Sequence, residues 1–242
     1  MYLKEVFSSL QGEGILIGRR QLFVRLAHCN LACAYCDTDY AAGPLWTAEV
    51  EPGRAGVREY LNPAAAGELT ELVRSWQERL PLHHSLALTG GEPLLQAEAL
   101  VGWLPAVSQL LPIYLETNGT LPGSLAELLP HLTWVSMDIK LAATTGVPTP
   151  WDVHGDFLRA ARTQICQVKL VVDAHVSDAD LVAVALFLQR HGPEIPLVLQ
   201  PRTVTGRPAV DGRRLLAMQA IAAREHLQTL VIPQLHPFLS VP

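Results

Sequence analysis

Short apolar runs alternate along this chain with longer stretches in which apolar residues recur at every third or fourth position. The short runs are Gln21–Ala27, Ser85–Leu88, Ile113–Glu116, Trp134–Ile139, Gln167–Val172, Pro196–Gln200 and Thr229–Ile232. They read as strands. The longer stretches are Ala66–Leu80, Ala97–Leu111, Ser124–Leu129, Asp156–Thr163, Asp178–His191 and Gly212–His226, and they carry the helical period. Leu69, Leu72, Val73 and Trp76 show it well, as do Leu215, Met218 and Ile221. Ser177 and Asp211 stand where helix N-caps belong.

Strands that are nearly continuously apolar and separated by helices predict an α/β fold with a parallel sheet covered on its outside. Six or so β/α units fall short of the eight of a closed barrel. The expectation is therefore an open, partial barrel of (β/α)6 type, TIM-like, formed as one domain by residues 1–242. In such folds the site lies at the C-terminal strand ends and in the loops that follow them. The least regular stretch, residues 41–65, holds Gly43-Pro44, Pro52-Gly53 and Asn62-Pro63. It is expected to be an excursion off the core, either a lid or a partner contact.

Composition narrows the function classes. Hydrophobic residues make up 49% of the 242, ample for a core. The net charge of −5, without a long basic run, argues against broad nucleic-acid binding. The N-terminal residues lack the pattern of a signal peptide, and apolar runs such as Leu181–Leu188 are too short to cross a bilayer. With free thiols, these features predict a soluble protein of the cytoplasm, without membrane contact.

Three of the four cysteines stand together in Cys29-Asn30-Leu31-Ala32-Cys33-Ala34-Tyr35-Cys36. Thiolates at this spacing can hold three irons of a cubane cluster and leave the fourth open to a ligand that is not protein. A structural zinc site wants four protein ligands, and the neighbours His28 and Asp37 are each adjacent to a cysteine already in use. Three clustered cysteines also pair poorly as disulfides. Cys166 sits in a strand-like run and reads as a buried apolar residue. Thr89-Gly90-Gly91-Glu92-Pro93 follows a strand; its glycines let backbone approach a ligand, and Glu92 suits an ammonium group. The histidines at 83, 84, 131, 154, 175, 191 and 226 have no constellation around them and read as surface or helix-end residues.

The cysteine triplet followed by Gly-Gly-Glu-Pro resembles the radical S-adenosylmethionine superfamily. The resemblance implies a [4Fe-4S] cluster whose open iron takes the amino and carboxylate groups of S-adenosylmethionine, and a 5′-deoxyadenosyl radical that abstracts hydrogen from substrate. The flanks narrow it: Ser9-Leu10-Gln11-Gly12-Glu13-Gly14, Arg25, Asp37-Thr38, Glu116-Thr117-Asn118-Gly119-Thr120, Pro233-Gln234-Leu235-His236 and Pro242. This set is similar to the 7-carboxy-7-deazaguanine synthase family of queuosine and 7-deazapurine biosynthesis. Its members convert 6-carboxy-5,6,7,8-tetrahydropterin to 7-carboxy-7-deazaguanine with loss of ammonia. They are small homodimers that need Mg2+, regenerate the S-adenosylmethionine and take electrons from a donor such as flavodoxin or ferredoxin.

The resemblance implies roles residue by residue. Cys29, Cys33 and Cys36 hold the cluster, and Thr38 is a magnesium ligand. Tyr35, Cys36, Asp37, Gly91 and Glu92 bind S-adenosylmethionine. Ser136, Asp138, Lys140 and Gln200 join them, although this chain carries Ser136-Met137-Asp138-Ile139-Lys140 where close relatives carry Ser-Pro-Lys. Leu10, Gln11, Gly12 and Glu13 read the pterin ring, Arg25 faces the substrate carboxylate, and Thr89, His236 and Pro242 complete the substrate site, the last two from a folded C-terminal tail. Two other readings compete. A glycyl-radical enzyme activase shares the cysteine spacing and an Asp-x-Lys element, but typically carries His-Asn where this chain has Asp37-Thr38. A non-catalytic iron–sulfur or zinc module gives no reason for Gly90, Gly91, Glu92 and Arg25 to accompany the cysteines.

Overall fold

The computed structural model describes residues 1–36 and 39–242. Its strands are β1 (Leu3–Leu10), β2 (Arg20–Leu26), β3 (Leu45–Glu49), β4 (Val57–Leu61), β5 (Ser85–Gly90), β6 (Ile113–Thr117), β7 (Trp134–Ile139), β8 (Ile165–Val172), β9 (Leu197–Pro201), β10 (Thr203–Val204), β11 (Arg207–Pro208) and β12 (Thr229–Val231). The helices are α1 (Ala66–Arg79), α2 (Ala97–Val107), α3 (Pro122–Leu128), α4 (Ala142–Thr145), α5 (Trp151–Ala161), α6 (Asp178–His191), α7 (Gly212–Glu225) and α8 (His236–Leu239).

One ten-stranded sheet runs in the order β12-β9-β8-β7-β6-β5-β2-β1-β3-β4. From β12 to β2 every neighbouring pair is parallel. Consecutive long helices pack against one another along the sheet, α1 on α2, α2 on α3, α3 on α5, α5 on α6 and α6 on α7. The expected open, mostly parallel α/β barrel is the observed architecture. The caps are as expected too: Ser177 forms a capping box with Asp180, and Asp211 accepts from the backbone N–H groups of Arg213 and Arg214.

The strands alternate more sharply than their composition suggests. Leu86, Leu88, Ile113, Leu115, Val135, Met137, Val168, Leu170, Leu197 and Leu199 form one row, buried in the main core. The residues between them face the other way, since successive side chains leave a strand on opposite faces. That second row begins in a small aromatic cluster of Phe7, Phe23, Ala87 and Tyr114, on which Leu16, Trp134 and Cys166 pack. It ends in Arg25, Thr89, Glu116, Asp138, Lys169 and Gln200, all lining one cavity.

Three expectations are corrected. Residues 41–65 supply a hairpin, β3 with β4, that extends the sheet beyond β1. Trp46 from β3 is fully buried, stacks on Tyr60 with ring centroids 4.4 Å apart, and donates to Leu61 O at 3.2 Å. Turn-forming Gly-Pro and Pro-Gly pairs hid two short strands. Second, β1 precedes the run of parallel strands and pairs antiparallel with β2. Its polar Ser8 and Ser9 conceal the pattern, yet both are buried. Third, His83 and His154 are buried, neither at the surface nor at a helix end, and His226, a helix-end residue as expected, is buried as well. His226 ends α7 and reaches Ile195 O at 2.7 Å, His154 reaches Gly119 O at 3.1 Å, and His83 meets Ser8 Oγ at 2.7 Å.

Trp46→Ala tests whether residues 41–65 belong to the core. The expected loss is about 3–5 kcal/mol, a Tm fall of about 6 to 20 °C for a chain of this length. An unchanged calorimetric melt would place the hairpin outside the cooperative unit.

Candidate active site

The cysteine loop leaves β2 and is tied down by its neighbours. His28 N donates to Tyr40 O at 2.6 Å and Tyr40 Oη donates to Leu31 O at 3.1 Å. Asn30 donates to Thr120 Oγ1 and accepts from Asn118 Nδ2, both at 2.9 Å. Gly91 N reaches Leu26 O at 3.2 Å, and Glu92 N reaches His28 O at 2.8 Å. A Cβ at Gly90 would strike the backbone of Leu26, and one at Gly91 the carbonyl of His28. Gly90 also holds φ at +122°. The two glycines therefore serve first to bring β5 against the root of the cysteine loop, not only to admit a ligand.

Glu92 is also more tightly engaged than a ligand-facing carboxylate. It is fully buried, and it accepts from Leu94 N (3.1 Å), Thr117 Oγ1 (2.8 Å) and Asn118 N (2.7 Å). Burial pushes its carboxyl up, against the pull of those hydrogen bonds. It sits behind the cavity wall and joins the β5 and β6 loops.

The cavity holds about 810 Å3. Cys29, Cys33 and Cys36 line it together with Leu10, Gln11, Gly12, Glu13, Arg25, Tyr35, Thr89, Gly91, Ser136, Asp138, Lys140, Gln200, His236 and Pro242. Asp37 and Thr38 lie outside the described residues. None of the four cysteines is in a disulfide. Burial raises the Cys29 and Cys33 thiols, so loading metal there releases protons. Among the described residues no three His, Cys, Asp or Glu converge on one ion position. A cubane takes each thiolate at a different iron and needs no such convergence.

A file of alternating charge crosses the cavity wall. Glu13 pairs with Lys169; Lys169 Nζ lies 3.5 Å from Asp138 Oδ2; Lys140 Nζ lies 2.8 Å from the same oxygen and 3.0 Å from Tyr35 Oη. Burial alone would raise the Glu13 carboxyl, but the Lys169 ammonium and a hydrogen bond from Gln234 bring it down to about 2. Burial would lower Lys140, yet Asp138 and Tyr35 hold it well above the usual lysine range. Burial, with Asp138 nearby, pushes the Tyr35 phenol up to about 12.

Beside this file, Gln11 Nε2 donates to Glu116 Oε1 and to Gln21 Oε1, both at 2.9 Å, and Thr89 donates to Glu116 Oε2 at 2.7 Å. Ser136 Oγ accepts from Gln167 at 2.8 Å. Arg25 gives its Nε to Glu5 at 2.7 Å and lies over the Phe7 ring, 5.3 Å from its centroid. The last residues line the cavity and bond to β1 and the segment after it: Gln234 donates to Glu13 Oε1 at 2.7 Å, Leu235 N to Gly12 O at 2.7 Å, and Ser9 Oγ to Pro242 O at 2.8 Å. Glu116 and Lys169 went unpredicted as site residues. The signal for Lys169 was one charge within Gln167–Val172; Glu116 stands at the C-terminal end of its strand.

Two buried acceptors, Asp138 Oδ1 and Gln200 Oε1, have no donor among the described residues. Buried acceptors without donors are costly. Both residues line the cavity, so a ligand with hydroxyl and amino donors, as S-adenosylmethionine has, fits this wall.

The Radical SAM superfamily model matches residues 24–156. The 7-carboxy-7-deazaguanine synthase of Geobacter sulfurreducens is 39% identical over 241 residues, covering 98% of this chain and 96% of that one. That of Methanothermobacter thermautotrophicus is 34% identical, with coverage of 98% and 96%. The chain belongs to the 7-carboxy-7-deazaguanine synthase family. As a member of that family it is a radical S-adenosylmethionine lyase of 7-deazapurine biosynthesis, and its cofactors are a [4Fe-4S] cluster and S-adenosylmethionine. The crystal structure of QueE from Escherichia coli has the same fold, with a TM-score of 0.65 at 21% identity over 97% of this chain and 94% of that one. No helix among the described residues is long and apolar enough to cross a membrane.

Gly91→Ala should push the loop bearing Cys29 away from β5 and reduce iron bound on anaerobic reconstitution. Gly102→Ala, where a methyl meets nothing within 4 Å, is the control that keeps full iron. Equal iron content in the two variants would contradict the role given to Gly91.

Proposed function

We propose that the chain converts 6-carboxy-5,6,7,8-tetrahydropterin to 7-carboxy-7-deazaguanine with loss of ammonia. One observation carries this reading: the three cysteines, the Leu10–Glu13 segment and Arg25 share one cavity. Cys29, Cys33 and Cys36 would hold the cluster, with S-adenosylmethionine against Gly91, Ser136, Asp138, Lys140 and Gln200. When bound, cluster and cofactor supply hydrogen-atom abstraction.

The chain's own residues bind and orient the substrate. Gln11 and Glu13 offer the pterin a carbonyl and an ionised carboxylate, which match its amide and amino donors. Arg25 presents its guanidinium to the substrate carboxylate; its Nε is spent on Glu5, and the two Nη groups, which bond to none of the described residues, would form the fork. Thr89 is fixed by Glu116. Gln234, His236 and Pro242 line the cavity and would restrict water there. The proposal includes a Mg2+ ion that Thr38 would help to hold, in keeping with the preference of magnesium for hard oxygen donors. It also includes regenerated S-adenosylmethionine, a flavodoxin or ferredoxin as electron donor, a homodimer and a cytoplasmic location.

The decisive experiment is anaerobic reconstitution with iron and sulfide, followed by reductant, S-adenosylmethionine, Mg2+ and 6-carboxytetrahydropterin, with mass spectrometry of the products. The expected result is 7-carboxy-7-deazaguanine with S-adenosylmethionine largely conserved. Cofactor cleavage without that product would overturn the substrate. In the same assay Arg25→Lys keeps a charge and loses the fork, so KM should rise about tenfold or more while iron content is unchanged.

A further inference from the structure

We infer that Lys169 is a positioning residue for the reaction, holding Glu13 ionised and aimed at the substrate while tying it to Asp138 on the cofactor side. The inference deepens the proposed function and rests on it.

The geometry is specific. Lys169 is a cation in the middle of β8, in an otherwise apolar half of the strand, and its side chain is only 13% exposed. An ammonium so placed needs charged partners, because burying an unpaired charge is expensive. It has two, from different parts of the chain: Glu13 in the segment after β1 and Asp138 in β7, 156 and 31 positions away. The charged groups facing it are Glu13, Glu116, Asp138 and Lys140, and His236 faces Glu13 from the tail. Without the Lys169 charge, Asp138 would keep Lys140 as its cation, and Glu13 would keep only His236 from the tail.

The hydrogen bonds divide the work. Glu13 Oε2 is taken by Lys169 and Oε1 by Gln234, which fixes the plane of the carboxylate. Asp138 Oδ2 accepts from Lys140 and lies 3.5 Å from Lys169 Nζ, while the buried Oδ1 has no donor among the described residues. One ammonium thus sets the orientation of an acceptor assigned to the pterin and of an acceptor assigned to the cofactor. A protonated Glu13 would turn one acceptor into a donor and mismatch the pterin's donor edge.

The test is a double-mutant cycle on the reconstituted enzyme with Lys169→Met, Glu13→Gln and both together. Iron content, Tm, kcat and KM for 6-carboxytetrahydropterin are measured, and fluorescence titration with 6-carboxypterin gives a readout without turnover. Lys169→Met should raise KM about 10- to 100-fold, the worth of a charge-assisted hydrogen bond, with a smaller change in kcat. In the Glu13→Gln background the same change should add little, since coupled residues are non-additive. Lys169→Arg should restore most of the pterin affinity. Additive losses, or a normal KM in Lys169→Met, would overturn the inference. If Lys169→Met alone does not fold, the charge-balanced double variant and Lys169→Arg decide it: arginine that fails to rescue overturns it. Wild type that neither turns over the pterin nor binds it would overturn the substrate reading and this inference with it, whereas active wild type with additive variants overturns the inference alone.

Discussion

A strand sends successive side chains to opposite faces, and in parallel strands held in register that alternation is shared by the whole sheet. Here one row, including Leu88, Leu115, Met137, Leu170 and Leu199, is buried among the core residues. The other row brings Thr89, Glu116, Asp138, Lys169 and Gln200 to one cavity. Neither row is free to change alone, because a slip of one residue would turn charges into the core and leucines into the cavity. The apolar packing that stabilises the sheet is thus also what aims the chemistry.

Burial makes that aim exacting. Charged groups on the cavity wall persist because each has a partner: Glu13 with Lys169, Asp138 with both lysines, Arg25 with Glu5. A buried pair contributes little net stability once desolvation is counted, but it strongly penalises any arrangement that breaks it. The file from Glu13 to Tyr35 is therefore better understood as a specifier of geometry than as a source of stability.

Much of this was legible in the sequence. Long periodic helices such as Asp178–His191 were read to the residue, and the cysteine spacing with Gly90-Gly91-Glu92 pointed to the chemistry. What stayed hidden has physical causes. β1 carries Ser8 and Ser9, which are buried by tertiary contacts that no local pattern announces. β3 and β4 are short and sit among turn residues. The inward charges of β6, β7 and β8 were visible as residues, but the partners that make Lys169 meaningful lie 31 and 156 positions away. Glycines 90 and 91 were read as space for a ligand, whereas the nearest obstacle to a side chain there is the chain's own backbone.

The contacts that hold the C-terminal residues against the cavity wall join Ser9 to Pro242 and Glu13 to Gln234, 233 and 221 positions apart. Sheet pairings such as β5 with β6 span far fewer residues. On a ribosome, where residues emerge in order, the strands from β1 to β6 and the cysteine loop are out long before residue 234 is added. A nascent chain can then form much of its sheet and its cysteine loop before Ser9 and Glu13 meet their C-terminal partners. The cysteine loop is therefore older than the contacts that residues 234 and 242 make with Glu13 and Ser9.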